Sequence, residues 1–309
     1  MKVNFLSVAI VAASVVMVSC NNDDMTVSNE DSAVRFTSGA TATPVSRVAI
    51  DADGESVWNA GDPVGIYMVG HGTTNVVEGN ANMKYTAAQA GASTAFSAVG
   101  ASIHYPLDEA TAVDFIAYHP YSDAVAGFVY PIDLSVQTSQ TGIDLMTAKA
   151  DKGGAGYTKA DGRANGVVNF AFTHQLAKLV MNVTKDATVP GTITSVSIND
   201  MNTRATFDLK GDEGISLPGT PAGITPCTVT AEKKYEAILL PVAPLGNGHT
   251  VTFTTDGGET YVWQMNKDIA KLEAGKIYTY DVNVTKYAVT ANGSINKWAV
   301  GTTGSGTAE

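Results

Sequence analysis

The segment Ile277–Val284 alternates with a strict period of two. Tyr278, Tyr280, Val282 and Val284 fall on one side, and Thr279, Asp281 and Asn283 on the other. Successive side chains of a strand point to opposite faces, so this is a strand with one buried and one wet face. His249–Thr255 repeats the pattern, with Val251 and Phe253 inward. No long stretch has convincing 3.6-residue periodicity, and short β-like runs alternate with turn signals almost to the end. In the first half they are Ala33–Ser38, Pro63–Val69, Met83–Thr86, Thr94–Val99, Val113–Tyr118, Gly127–Ile132 and Val167–Phe172. In the second they are Ala177–Val183, Ile193–Asn199, Arg204–Leu209, Thr228–Thr230, Tyr235–Leu240, Thr250–Thr255, Tyr261–Gln264, Lys276–Val284 and Val289–Ser294.

About sixteen short strands with turns between them predict an all-β fold of sandwiches or barrels. Parallel α/β folds are disfavoured because crossover helices are missing. Ala148–Asn165, rich in Gly, Ala, Lys and Asp, reads as a loop. The division is expected just beyond it, giving β-sandwich units over 33–168 and 169–300, with a flexible tail over 301–309. Two units fit a chain of 309 residues, of which 44% are hydrophobic. Charged residues are only 16% and glycines number 30, which suits an extracellular β-protein. A net charge of −11 argues against nucleic acid as a partner.

The N-terminus adds a destination. Lys2 precedes an apolar run from Phe5 to Val18, too short for the roughly 20 residues of a bilayer-spanning helix. Residues 1–19 therefore read as a secretory signal. The run ends in Met17-Val18-Ser19-Cys20, with Asn21-Asn22-Asp23-Asp24 following. Small residues before a cysteine resemble a bacterial lipobox, although Met17 stands where Leu is usual. A diacylglyceryl group on the Cys20 thiol and an acyl chain on its new amine would exceed the two signals that stable anchoring needs. Residues 20–32, polar and acidic, read as a tether. With Cys20 lipidated, Cys227 stands alone, so no intrachain disulfide forms and no thiolate zinc site is possible.

No local constellation points to catalysis. There is no phosphate loop, no His-Glu-x-x-His, no Cys-x-x-Cys and no Gly-x-Ser-x-Gly. His71, His104, His119, His174 and His249 are scattered singly, without metal-ligand spacing. His174 at a strand entry reads as a hydrogen-bonded structural residue. His119 and Tyr121 flank Pro120, either as an aromatic platform for sugar or as a strand end closed by a turn. Trp58, Trp263 and Trp298 fit buried anchors better than stacking surfaces for a glycan. Asp23/Asp24 and Asp212/Glu213 read as solvated acidic pairs. No catalytic residue, cofactor or metal is expected, and a hydrolase site assembled from distant residues has no local support.

Several segments together resemble the fimbrillin family. Trp58-Asn-Ala-Gly-Asp-Pro-Val-Gly-Ile-Tyr-Met68 is similar to the family's Trp-x-x-Gly-Asp-x-Ile-Gly-Ile-Tyr-Met stretch. Val113-Asp-Phe-Ile-Ala-Tyr-His-Pro-Tyr121, Asp144-Leu-Met-Thr-Ala148 and Phe172-Thr-His-Gln-Leu-Ala-Lys-Leu179 follow in order. Leu272-Glu-Ala-Gly-Lys-Ile-Tyr-Thr-Tyr280 and Ile295-Asn-Lys-Trp298 close the pattern, so the resemblance spans residues 34 to 298.

The resemblance implies two tandem transthyretin-like β-sandwiches, export as an outer-membrane lipoprotein, and a place in a surface pilus that mediates adhesion. It implies proteolysis after an Arg near the mature N-terminus, which frees the first strand. The empty groove then takes a strand from a neighbouring pilin subunit by β-augmentation. Arg47 in Thr43-Pro-Val-Ser-Arg-Val-Ala-Ile50 is the expected cleavage site, and Arg35, inside the first strand, the weaker one. Partners would be other pilin subunits, the membrane through Cys20, and a host or bacterial surface receptor. The donor strand should lie at the C-terminus, within Val289–Val300, but the Gly/Thr/Ser-rich tail departs from a long-stranded stalk pilin. The alternative is a surface glycan-binding lipoprotein with exposed aromatics lined up on one face. In a mass spectrum of cell-surface protein, the membrane-held form should carry lipid on Cys20 and the assembled form should begin at Val48. Neither species appearing would remove the export-and-cleavage scheme.

Overall fold

The computed structural model describes residues 32–39, 49–50, 56–211, 214–217 and 219–298. Cys20, Arg47, Asp23/Asp24 and Asp212/Glu213 lie outside the described residues. The first strands are β1 (Phe36–Ser38), β2 (Ala49–Ile50), β3 (Ser56–Val57), β4 (Pro63–Gly70), β5 (Met83–Ala87), β6 (Thr94–Ala98) and β7 (Val113–His119). Next come β8 (Val129–Asp133), β9 (Met146–Ala150), β10 (Val168–Phe170), β11 (Thr173–His174), β12 (Ala177–Lys185), β13 (Ile193–Met201) and β14 (Arg204–Asp208). The remainder are β15 (Ile215–Ser216), β16 (Ala222–Ile224), β17 (Cys227–Thr230), β18 (Lys234–Leu239), β19 (Thr250–Thr255), β20 (Thr260–Gln264), β21 (Lys276–Val284) and β22 (Val289–Lys297).

The fold is all-β, and each run predicted from alternation overlaps an observed strand. The expected loop over Ala148–Asn165 is corrected: it begins inside β9 and contains a short helix, α1 (Lys159–Arg163). The inward side chains of β9 are Met146, Ala148 and Ala150. Two alanines give too little apolar contrast for a strand to stand out in the sequence. Its order comes from pairing with β7 on one side and β11 on the other. The helix starts at Thr158, whose N–H donates to Asp161 Oδ2 at 2.8 Å, half of a capping box.

The first sheet has the order β10-β1-β6-β5-β4-β7-β9-β11. It curls over, because Phe36 on β1 meets Phe115 on β7 with ring centroids 5.1 Å apart. Inside lies a core that includes Trp58, Ile66, Met68, Tyr85, Phe115 and Phe170. The residue-168 division falls at the first residue of β10, and both β10 and β11 pair into this first sheet. The second unit stacks β17-β18-β12-β21-β22 on β16-β13-β19-β20. Leu179, Met181, Tyr278 and Tyr280 from one sheet meet Ile198, Val251, Phe253 and Trp263 from the other. Two sheets packed over an interdigitated apolar core make a sandwich. Parallel pairing occurs between β1 and β10 and between β12 and β21, and no helix longer than five residues lies in either connection among the described residues.

A third core joins the halves. The outward faces of β4 and β7 supply Tyr67, Val69, Ile116 and Tyr118. The outward face of β18 supplies Ile238, and Trp298 follows β22. Between them β8 of the first half pairs antiparallel with β14 of the second, from Arg204↔Asp133 to Asp208↔Val129. Buried Gln137 fastens the same seam. Its Oε1 accepts from Ile238 N–H at 2.9 Å, and its Nε2 donates to the carbonyls of Leu134 at 2.8 Å and Ile238 at 3.0 Å. Leaving such buried groups unpaired costs roughly 1–3 kcal/mol. Gln137→Leu should therefore lower stability by about that amount in urea unfolding. The two halves should still melt in one calorimetric transition, since one core spans them; two separated transitions in the native chain would contradict the shared core.

Candidate functional site

Attention falls on β1 because it sits between two neighbours rather than at an edge. It runs antiparallel to β6, with Phe36↔Phe96 and Ser38↔Thr94. It runs parallel to β10, with Phe36↔Val168 and Ser38↔Phe170. Upstream the ladder continues: Val34 N–H donates to the Ile103 carbonyl and Tyr105 N–H to the Ser32 carbonyl, both at 2.9 Å. Val168 N–H donates to the Arg35 carbonyl at 2.8 Å.

Alternation then sorts the side chains. Val34, Phe36 and Ser38 point inward and are buried. Phe36 is edge-on to Tyr85 at 5.2 Å and to Phe115 at 5.1 Å, and stacks on Phe170 at 5.5 Å. Ser38 Oγ accepts a hydrogen bond from Trp58 Nε1 at 3.3 Å. Trp58 is itself fully buried, edge-on to Phe96, His119 and Phe172. Outward, Thr37 Oγ1 donates to Asn169 Oδ1 at 3.1 Å. Exposed Arg35 donates from Nη2 to Asn165 Oδ1 at 3.2 Å and to the Gly166 carbonyl at 3.4 Å. Its backbone is held between flanking strands, so Arg35 is poorly placed to enter a protease as an extended substrate.

The aromatic and histidine candidates resolve into packing. Trp58, Trp263 and Trp298 are all buried, so none offers a face to a sugar. His119 is buried with Nδ1 2.9 Å from the Pro63 carbonyl oxygen, and burial pushes its pKa down, which keeps the ring neutral. Tyr121 has Lys84 Nζ 5.0 Å over its ring and Tyr118 stacked at 6.5 Å, so that ring is already engaged within the protein. His174 pairs with buried Asp144 (Nδ1 to Oδ2, 2.8 Å) and lies flat on Trp298, with centroids 3.8 Å apart. Its ring is enclosed in the interior at β11.

An open cleft of about 440 Å³ lies on the outward face of β4, β7 and β9, against Lys210. Two of its charged groups are engaged within the protein. Asp114 takes a hydrogen bond from Gly72 N–H at 2.8 Å and faces His71 Nδ1 at 2.9 Å, which raises the histidine's pKa. Lys149 Nζ donates to the Lys210 carbonyl. Among the described residues no cluster of three His, Cys, Asp or Glu side chains could hold a metal, and no helix is long and apolar enough to cross a membrane.

Comparison with known proteins supplies a family. Residues 46–298 match the family model described as fimbrillin-like. The chain belongs to the fimbrillin-like family. It is 35% identical over 263 residues to a candidate fimbrium subunit, Fim1C, of Bacteroides uniformis, covering 81% of this chain and 82% of that one. A crystal structure of a candidate cell-adhesion protein from Bacteroides uniformis superposes with a TM-score of 0.71 at 33% identity. That match covers 86% of this chain and 97% of the other. A second, from Bacteroides ovatus, shares the fold with a TM-score of 0.63 at 18% identity, covering 87% and 99%. Within this fimbrillin-like chain, Phe36 carries the seating of β1. Phe36→Ala should cost about 3–5 kcal/mol in urea unfolding, whereas Arg35→Ala should stay within about 0.5 kcal/mol.

Proposed function

We propose that this fimbrillin-like chain is a structural component of a surface fimbrium, exported as an outer-membrane lipoprotein and assembled by strand exchange. One observation carries the reading. The β1 segment contributes three inward side chains and a ladder on both sides, yet only residues 40–48 tie it to β2. Cleavage after Arg47 would sever that tie. Loss of the segment would leave β6 and β10 with unpaired backbone groups along an apolar slot lined by Tyr85, Phe115 and Phe170. Unpaired edges beside exposed apolar surface are a template for another strand.

Once a protease has cut the chain, joining of subunits is conformational rather than covalent. Lipid on Cys20 holds an inert subunit at the membrane while its own β1 fills the slot. Proteolysis removes tether and β1 together, and a strand of another pilin subunit replaces it. Self-occupancy before cleavage prevents premature association, because the slot offers no free edge until then. The subunit contributes to attachment of the cell to a host or bacterial surface.

The test is Arg47→Ala in cells that build these fimbriae. It should leave this chain lipidated, membrane-held and absent from sheared fimbriae, while the unchanged chain appears there beginning at Val48. Sheared fimbriae containing the Arg47→Ala chain in normal amount would sink the cleavage-gated mechanism.

A further inference from the structure

We infer that the β1 slot takes its strand from a different protein rather than from residues 289–309 of a second copy of this chain. The entering strand carries an aliphatic, an aromatic and a small hydroxyl side chain at alternate positions, and Trp58 reads the hydroxyl. This rests on the strand-exchange reading and adds the identity of the partner strand.

The resident segment serves as the template. The place of Val34 adjoins Ile103, through the Val34 N–H to Ile103 carbonyl bond. The place of Phe36 is a box of three rings, two edge-on and one stacked, which favours a flat aromatic over an aliphatic side chain. The place of Ser38 is fully buried and lies under Trp58 Nε1, a donor with no acceptor function of its own. A residue there without an oxygen leaves that buried N–H without its partner, and a large one does not fit. The next position is Gly39 at φ +103°, where a Cβ would come within 2.5 Å of Ser93 Cβ, so glycine must follow. The pattern is aliphatic-x-aromatic-x-Ser/Thr-Gly, running parallel to β10 and antiparallel to β6.

Residues 289–309 do not supply it. One face of β22 offers Val289, Ala291, Gly293, Ile295 and Lys297, and the other Thr290, Asn292, Ser294 and Asn296. Trp298 is the single aromatic residue of 289–309, with Asn296 two before it and Val300 two after. Entering in the opposite direction, that segment would have to place Asn296 in the fully buried space of Ser38. The same aliphatic-aromatic-hydroxyl triplet does recur in Val251-Thr-Phe253-Thr-Thr255. It is locked in β19 between β13 and β20, however, and is not available for donation.

The experiment uses the full chain with a specific endoprotease site inserted after Arg47. Cutting leaves the N-terminal fragment seated without a covalent tie, and its displacement by synthetic peptides is followed by mass spectrometry and fluorescence anisotropy. A peptide of residues 32–41 should exchange in. Its Phe36→Ala form should bind about 100-fold or more weakly, and its Ser38→Ala form about fivefold more weakly. A Trp58→Phe chain should bind the Ser38→Ala peptide as well as the unchanged one. A peptide of residues 289–302 should not exchange in. If it enters as well as the 32–41 peptide, the different-protein partner is overturned. Equal affinity of the serine and alanine peptides for the Trp58 chain overturns the role of Trp58. If no peptide enters, the 32–41 peptide included, strand exchange itself falls and this inference with it.

Discussion

Seating of Phe36 among Tyr85, Phe115 and Phe170 is the contact on which the first half depends. Phe36 lies on a strand of three residues, far too short to be stable through its own hydrogen bonds. Apolar burial at alternate positions supplies the stability instead, worth about 1.5–3 kcal/mol for a fully buried phenylalanine. Through that strand β10 reaches the rest of the sheet, since β1 is its neighbour in the ladder. Closing the core and completing the sheet are therefore one event.

The two halves do not behave as beads on a string. The β8–β14 pairing crosses between them, and side chains from both outward faces share a core. Tyr67 meets Phe128 at 4.3 Å, and Tyr118 meets Tyr130 at 5.5 Å. Beside this seam Lys178 pairs with Glu236 at 2.7 Å, with Lys234 on the other carboxylate oxygen at 3.0 Å. Burial raises the Glu236 pKa while the two ammonium groups lower it, and the balance falls below the ordinary glutamate value. A continuous apolar seam with a buried, hydrogen-bonded Gln137 joins the two halves.

Much of the fold was legible because alternation is local. Tyr278, Tyr280, Val282 and Val284 are buried as their spacing demanded, with Asp281 and Asn283 exposed. The failures were equally physical. In β9 small alanines hid the apolar face. In α1 five residues are too few to show a helical period. Trp58, Trp263 and Trp298, by contrast, are the buried anchors that the sequence favoured over a sugar surface. For the candidate site, Ala33–Ser38 was readable as a strand, but its two-sided pairing was not. The parallel partner Val168–Phe170 lies some 130 residues away, and no local signal reports such a neighbour.

By itself the sequence determined the class of fold and the ordered segments by which the family is recognised. These depend on composition, period-two spacing and short motifs, each confined to a few neighbouring residues. Only the tertiary structure decided that Phe36 rather than any charged residue holds the first strand, and that Trp58 meets Ser38. It alone decided that the halves share a core. Those facts arise from packing between residues remote along the chain, where closure of a curled sheet, and not local propensity, selects the partners.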